Sequence, residues 1–76
     1  MIQNKRLALQ QLGKRIYQLR RQKRLTQAQL AQACDLTTGQ VKRLEKGRYN
    51  LRFYSLARIV ETLGLQMHEL VNLKNS

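Results

Sequence analysis

Hydrophobic residues recur along the first third of the chain at the three-to-four-residue spacing of a helix that buries one face. Leu12, Ile16 and Leu19 stand at i, i+4 and i+7 and form the inward stripe of a predicted helix over about residues 4–23. Gly13 interrupts this helix, at a cost of about 1 kcal/mol relative to alanine. Such a glycine is tolerable where a neighbouring helix crosses closely at that point.

Two shorter helices are predicted next, each introduced by a threonine. Thr26 and Thr37 are placed to cap them, because a threonine hydroxyl accepts hydrogen bonds from the unpaired N–H groups of a first turn. Gly47 is expected to end the second of these helices in the left-handed conformation. The apolar positions on the inward side of the two helices, and in the turn between them, are Leu30, Ala31, Cys34, Leu36, Val41 and Leu44.

The pattern continues through a loop at residues 48–52 into a fourth helix, predicted over about 53–63 and ended by Gly64. A short fifth helix over about 67–72 follows. Because the chain has no proline, no Gly/Ser-rich linker and few β-branched alternations, we expect a single all-α domain of five helices. The inward stripe of the fourth helix comprises Phe53, Leu56, Ala57, Val60 and Leu63, with Ile59 at its edge.

The chain is strongly basic, which indicates the kind of partner it binds. Fifteen Lys and Arg side chains stand against four Asp and Glu, giving a formal net charge of +11, and residues 1–34 contain no acidic side chain. Such an imbalance favours a polyanion, because each neutralised phosphate releases condensed counterions. The alternative is that the excess charge only keeps a small protein in solution.

The third predicted helix presents a basic face. If Val41 and Leu44 point inward, the 100° step per residue turns Gly39, Lys42, Arg43 and Lys46 outward. Three cations without a carboxylate suit DNA phosphates and base edges. Two short helices joined by a tight turn, with such a face on the second, indicate a helix-turn-helix.

Membrane and secreted proteins are disfavoured. No apolar run approaches the ~20 residues that span a bilayer, and the N-terminal segment lacks the long apolar stretch of a signal peptide. Cys34 is the single cysteine, so no internal disulfide is available and nothing suggests secretion. We therefore expect a cytoplasmic protein without a membrane partner.

An enzyme is disfavoured as well. His68 is the only histidine, and no Ser or Cys has a sequence arrangement that suggests a nucleophile–base pair. One His and one Cys fall short of a structural zinc site, and Gly-rich phosphate loops are absent. We expect no catalytic residue, no metal and no cofactor.

Three stretches of the chain share their order, spacing and apolar positions with a large family: LGKRIYQLRRQKRLTQAQLA, LTTGQVKRLEKGRYN and SLARIVETLGLQMHEL. Through them, residues 12–71 resemble the Cro/phage-repressor-like helix-turn-helix proteins, often labelled XRE. The resemblance implies a compact lambda-repressor-like bundle of four or five helices that binds operator DNA as a dimer. On this basis residues 12–72 form the DNA-binding domain, 1–11 extend its first helix, and 73–76 are a tail.

The resemblance also implies roles for single residues. The positions expected to read bases are Thr38, Gly39, Lys42 and Arg43. Those expected at the DNA backbone are Gln27, Thr37, Lys46, Arg48, Tyr49, Asn50 and Arg52, of which Gln27 also braces the third helix. Arg20 and Glu45 match a pair that ties the first helix to the third. An exposed pair of this kind contributes about 0–1 kcal/mol, and more if it is partly buried.

Each of these roles has a plainer alternative. Lys42 and Arg43 are solvated cations on that alternative, Gln27 is an ordinary first-turn residue, and Tyr49 packs on the fold instead of touching DNA. An arginine fork, however, matches O6 and N7 of guanine, which favours Arg43 as a base reader.

Three departures from the family pattern affect detail. Gly39 removes a side chain where family members often have one that reads a base, which indicates either close approach to the DNA or relaxed specificity. Asp35 stands in the turn in place of a frequent glycine, and aspartate tolerates the left-handed conformation better than most residues. Leu51 and Arg52 replace a frequent Pro-Ser, so the fourth helix loses its usual cap.

The sequence therefore predicts a dimeric transcriptional regulator that lays two copies of its third helix in successive major grooves of a palindromic operator. The alternative is an antitoxin or a restriction–modification controller, in which DNA binding is combined with a protein partner such as a toxin. Candidate residues for the dimer interface lie around the fifth helix: Met67, Leu70, Val71 and Leu73.

Overall fold

Four helices follow one another in the part of the chain that the computed structural model describes, residues 5–49 and 51–64. They are α1 (Lys5–Gln22), α2 (Gln27–Ala33), α3 (Thr38–Glu45) and α4 (Phe53–Leu63). Within these residues there is no strand, which confirms the all-α prediction, and no helix is both long and apolar enough to cross a membrane. The predicted fifth helix, the four candidate interface residues on and after it, and Asn50 lie outside the described residues.

Each of the four helices contributes to one hydrophobic core. The side chains of Ile16, Leu30, Val41 and Ile59 are fully buried, one from each helix, and Leu44 is nearly so. The i, i+4, i+7 stripe predicted for α1 is therefore the face that packs inward, with Leu12 only partly covered.

The prediction for the stripe of α4 was wrong at both edges. Ile59, predicted at the edge, is fully buried, whereas Phe53, predicted inside, is 73% exposed. Phe53 is the first residue of α4, and helical side chains tilt towards the N-terminus of their helix. Its ring therefore projects beyond the part of α4 that packs against the core.

Both predicted threonine caps are present, and each is closed by a glutamine. The Thr26 hydroxyl accepts a hydrogen bond from the Gln29 N–H at 3.0 Å, while the Thr26 N–H donates to Gln29 Oε1 at 2.8 Å. Thr37 and Gln40 repeat this arrangement at 3.0 and 2.8 Å. These reciprocal capping boxes fix where α2 and α3 begin.

The first three helices end in the same way. In each, a residue with positive φ reverses the chain, and the next N–H bonds back to a carbonyl five residues earlier, as in a Schellman motif. The reversing residues are Arg24 (φ 60°), Asp35 (φ 60°) and Gly47 (φ 74°). The bonds run from Leu25 to Arg20 at 3.1 Å, Leu36 to Ala31 at 2.9 Å and Arg48 to Arg43 at 2.8 Å. Asp35 and Gly47 thus have the predicted conformation, and Arg24 was not foreseen.

The backbones of α1 and α3 touch where α1 carries Gly13. A Cβ atom on Gly13 would lie 2.2 Å from the Leu44 carbonyl oxygen and 3.0 Å from that of Glu45. A Cβ on Gly47 would likewise lie 2.7 Å from Cα of Gln10. The close crossing suggested by the interrupted helix is therefore present: α1 approaches the end of α3 at Gly13, and it approaches Gly47, just beyond that end, at Gln10.

Candidate nucleic-acid interface

The face of α3 opposite the core is open to solvent and basic. Val41 and Leu44 anchor the inner side of the helix. The outer side carries the exposed side chains of Thr38, Lys42, Arg43 and Lys46, together with Gly39, which is half-buried. The predicted base-reading positions thus share one accessible surface on a helix whose position is fixed by packing.

A buried ion pair sets the position of α3 relative to α1. Arg20 Nε donates to Glu45 Oε2 at 2.6 Å and Arg20 Nη2 donates to Glu45 Oε1 at 3.1 Å. The two side chains are only 7% and 5% exposed, and Arg20 Nη1 also donates to the Leu25 carbonyl at 2.7 Å. The pair is therefore not of the exposed kind, and removing one partner of such a pair costs about 3–5 kcal/mol because the other charge remains buried.

Gln27 joins the same network from α2. Its Nε2 atom donates to Glu45 Oε1 at 3.0 Å, so the first residue of α2 is bonded to the last residue of α3. Gln27 and Glu45 line a surface depression of about 400 Å³ whose rim includes Lys42, Lys46 and Tyr17. The bracing role expected of Gln27 has a geometric basis, and its side chain lies beside two cations of the α3 face.

Tyr49 packs on the fold. The side chain is partly buried against the core, and its hydroxyl accepts a hydrogen bond from Gln40 Nε2 at 3.2 Å. The centre of the Arg43 guanidinium lies 6.0 Å from the centroid of its ring. Tyr49 is thus a neighbour of a predicted base reader as well as part of the protein interior.

The loop after α3 and the N-cap position of α4 carry two further cations. Arg48 and Arg52 are both exposed. Arg52 occupies the N-cap position of α4 and makes no side-chain hydrogen bond to the first turn. The expected loss of the usual cap is confirmed, and the first N–H groups of α4 are left without a side-chain acceptor.

A second group of arginines lies where α1 ends and α2 begins, and sequence reasoning did not single it out. Arg21 Nη1 donates to the Tyr17 hydroxyl at 2.9 Å, and the guanidinium centres of Arg20 and Arg21 lie 5.3 and 5.6 Å from the ring centroid of Tyr17. Together with Arg24 and Gln27, these arginines line a depression of about 520 Å³. The available signal was three arginines within five residues, directly before the Thr26 cap.

Cys34 and Arg58 lie where α4 meets the end of α2. Burial raises the pKa of the Cys34 thiol, against the opposing effects of its hydrogen bond to Thr62 and of the nearby Arg58 charge. The thiol donates to Thr62 Oγ1 at 3.6 Å, and Arg58 Nη2 donates to the Ala33 carbonyl at 2.8 Å. Both side chains therefore have structural partners. The contact of Arg58 spans 25 residues and had no sequence signal.

Comparison with known families and proteins identifies a matching family and several similar proteins. The helix-turn-helix domain family covers residues 11–73 of the chain. The chain is similar to an immunity repressor protein of Bacillus phage phi105, with 33% identity over 60 residues, which make up 79% of this chain and 42% of the repressor. The chain thus spans less than half the length of that curated relative.

Two solved structures have the same fold. ClgR, a clp gene regulator of Corynebacterium glutamicum, matches with a TM-score of 0.83 and 25% identity, over 90% of this chain and 72% of that one. The restriction-modification controller protein C.AhdI of Aeromonas hydrophila matches with a TM-score of 0.78 and 29% identity, over 82% of this chain and 94% of that one. With its capped α2 and α3, its fixed α3 and a family match across most of its length, the chain belongs to the helix-turn-helix domain family and is XRE-like.

Proposed function

We propose that the chain is a sequence-specific DNA-binding transcriptional regulator that inserts α3 into the major groove of an operator. The observation that carries this proposal is the outer face of α3, which presents Thr38, Lys42, Arg43 and Lys46 to solvent. The nearby Glu45 carboxylate does not offset these cations, because its side chain is only 5% exposed and is paired with Arg20. A rigid basic helix surface of this kind fits a groove that is lined by phosphates and displays base edges.

Within the groove, Arg43 is assigned to base reading. Its planar fork matches the two acceptors of guanine, O6 and N7. Thr38 and Lys42 are assigned to the neighbouring base edges. Gly39 presents no side chain of its own, which leaves room for the Arg43 guanidinium, whose Nη1 lies 3.7 Å from where a Cβ atom of Gly39 would stand.

The residues around α3 are assigned to phosphates, which fix the register of the protein on the duplex. Gln27 and Thr37 lie at the starts of α2 and α3, where backbone N–H groups favour anions. Lys46, Arg48 and Arg52 add exposed cations beyond the end of α3. Tyr49 and Asn50 complete the backbone contacts expected from the sequence, and the contact of Asn50 stays a prediction.

Dimerisation is part of the proposal, because one recognition helix reads too few base pairs to select a site from a genome. Two copies of α3 would lie about 34 Å apart, in successive major grooves of a palindromic operator. The interface predicted around Met67, Leu70, Val71 and Leu73 stays a prediction, as does a toxin partner. The three relatives are named as a repressor, a gene regulator and a controller protein, which supports regulation over catalysis.

A second candidate function is control of a restriction–modification system. It is favoured by the match to a controller protein of which the chain covers 94%. On this proposal the two functions share the α3 contacts with DNA and differ in the gene that is regulated. Locating the selected motif in the genome, beside restriction–modification genes or elsewhere, therefore distinguishes them.

The proposal is tested by selecting bound duplexes from a random DNA library at low and high salt. We expect a palindromic motif that survives the higher salt, because base contacts add to the salt-dependent phosphate contacts. Arg43→Ala should lower affinity for the selected motif by about 1–3 kcal/mol and relax the preference at one position of each half-site. Arg43→Lys is the matched control, since it keeps the charge and removes the fork.

Three results would contradict parts of the proposal. A library that yields no motif, with binding that collapses as salt rises, would mean that the net charge alone drives binding and would overturn sequence specificity. A motif without two-fold symmetry would overturn the dimer. Equal losses on selected and scrambled DNA for Arg43→Ala would make Arg43 a phosphate contact.

A further inference from the structure

We propose that Gly39 and Tyr49 form a slot that holds the guanidinium of Arg43 in its reading position before DNA is bound. The three residues are called the arginine slot below. The inference rests on the proposed base contact of Arg43. It assigns to Gly39 and Tyr49 the role of positioning residues, which act on base preference through Arg43.

Gly39 forms one side of the slot. It precedes Arg43 by four residues and so lies on the same face of α3, one turn closer to the N-terminus. A Cβ atom on Gly39 would be 3.7 Å from Arg43 Nη1, so the guanidinium folds back along the helix and lies over the glycine. An alanine methyl fits this space in ordinary contact, whereas a larger side chain would extend into the volume that the guanidinium occupies.

The backbone does not require glycine at this position. Gly47 and Gly64 are the described glycines with positive φ, and Gly39 is not among them. Glycine weakens a helix relative to alanine. Because a methyl group would also fit, the slot requires a small residue at position 39, next to the Arg43 side chain, and not glycine itself.

Tyr49 forms the other side of the slot. Its ring centroid lies 6.0 Å from the centre of the Arg43 guanidinium, at the limit of an attractive cation–π contact. The ring is held from behind by Gln40, whose Nε2 donates to the Tyr49 hydroxyl at 3.2 Å. The Oε1 atom of the same Gln40 accepts the Thr37 N–H at 2.8 Å, so the cap of α3 and the position of the ring are fixed together.

The arginine slot reduces the side-chain entropy that Arg43 loses when it binds DNA. A free arginine side chain samples many rotamers and loses this freedom when it pairs with guanine. If the arginine slot already restricts Arg43, part of that loss occurs on folding and not on binding. The contact with the correct base is then favoured, whereas binding to scrambled DNA gains little.

The slot is tested first in the free protein, without reference to DNA. Side-chain ¹⁵N relaxation of the Arg43 Nε–H group is measured in the wild type, in Tyr49→Leu and in the matched control Tyr49→Phe, which keeps the ring. We expect a restricted Nε–H in the wild type and a more mobile one in Tyr49→Leu. Tyr49→Phe keeps the ring but loses the hydrogen bond from Gln40, so its Nε–H should be closer to that of the wild type than to that of Tyr49→Leu. Equal mobility in the wild type and in Tyr49→Leu would overturn the slot.

The second measurement is base preference, obtained by selection from the random duplex library. Arg43→Ala identifies the base position at which preference depends on Arg43. At that position Tyr49→Leu should reduce discrimination by about two- to fivefold, the factor that a solvent-exposed cation–π contact is worth. Tyr49→Phe should retain most of that discrimination. Both variants lose the Tyr49 hydroxyl and the phosphate contact assigned to it, so binding to scrambled DNA should fall by the same factor in both, and the readout is the ratio of selected to scrambled affinity. Thermal unfolding of each variant separates these effects from a loss of fold.

The outcomes distinguish the slot from the function on which it rests. If Arg43→Ala leaves base preference intact, the proposed base contact fails, and the role of the slot in specificity fails with it. If Arg43→Ala relaxes the preference while folded Tyr49→Leu does not, the base contact stands and the slot is overturned. Relaxed preference in both, at the same position, supports the slot.

Discussion

At the scale of single residues, the ends of α1 and α2 are formed by side chains that are unusual there. Arg24 and Asp35 both have φ of 60°, a region in which a Cβ atom crowds the backbone and glycine is preferred. Aspartate lowers this strain through local hydrogen bonding, whereas arginine has no such relief. Strain from the helix ends is therefore concentrated at Arg24.

Arg24→Gly should stabilise the protein by about 1 kcal/mol, because glycine removes the left-handed strain while its larger unfolded-state entropy offsets part of the gain. Urea unfolding measures the effect. Arg24→Ala is the matched control: it removes the same guanidinium but keeps the Cβ atom, so it should give no comparable gain. If both variants were stabilised equally, the cause would be the loss of charge repulsion, and backbone strain at Arg24 would be contradicted.

At the scale of helices, the crossing of α1 and α3 distinguishes two glycines that look alike in the sequence. Both Gly13 and Gly39 lie within helices, where replacement by alanine ordinarily stabilises by up to about 1 kcal/mol. Gly39 has room for a methyl group, with its nearest neighbour at 3.7 Å. Gly13 has none, since its Cβ would lie 2.2 Å from the Leu44 carbonyl oxygen.

Gly13→Ala and Gly39→Ala should therefore change stability in opposite directions. We expect Gly13→Ala to destabilise by about 1–3 kcal/mol or more, because α1 and α3 must move apart. Gly39→Ala should stabilise by about 0.5–1 kcal/mol. Chemical unfolding of both variants under one condition provides the comparison, and a shift of the same sign in both would contradict the backbone contact at Gly13.

The helices also show which parts of the fold are predictable from sequence. Capping threonines, stripe spacing and terminal glycines are local signals, so all four described helices were placed to within a few residues of their observed bounds. The exposure of Phe53 and the left-handed Arg24 were missed, because both depend on what surrounds a residue and not on its type. The contact of Arg58 with Ala33 joins residues far apart in the sequence, and no spacing rule predicts it.

The candidate site, too, is only partly predictable from the sequence. The outer face of α3 follows from the 100° step per residue once Val41 and Leu44 are assigned to the core. The family resemblance implies the pairing of Arg20 with Glu45, whereas its bidentate geometry and the bond of Arg20 to the Leu25 carbonyl depend on how the helices pack. The packing of Tyr49 beside Arg43 was left open by the sequence for the same reason.

At the scale of the whole molecule, Cys34 links stability to pH. Its thiol is buried between α2 and α4, and burial raises its pKa above the ordinary value of 9.0. In the unfolded chain the thiol loses its proton as the pH passes about 9, while in the folded protein it keeps it. The folded state then binds more protons than the unfolded state, so stability falls as the pH rises from 9 towards the folded-state pKa.

We expect the free energy of unfolding of the wild type, relative to that of Cys34→Ala, to decrease above pH 9 by at most about 1.4 kcal/mol per pH unit. Below pH 8 the difference between the two proteins should not depend on pH, since the thiol is protonated in both states. Urea unfolding across pH 7–10 measures this, and the subtraction removes contributions from the tyrosines and lysines. A difference that stays constant to pH 10 would contradict the burial of the thiol.

The two sides of α3 have separate tasks, and this has an evolutionary consequence. Val41, Leu44 and Glu45 hold the helix in the bundle from within, whereas Thr38 and Lys42 are exposed. Substitutions at the outer positions are therefore expected to spare the fold. On the proposed function, a lineage that carries this scaffold would acquire a new operator through a few outward changes, and duplicated copies would diverge to regulate different genes without first being stabilised elsewhere.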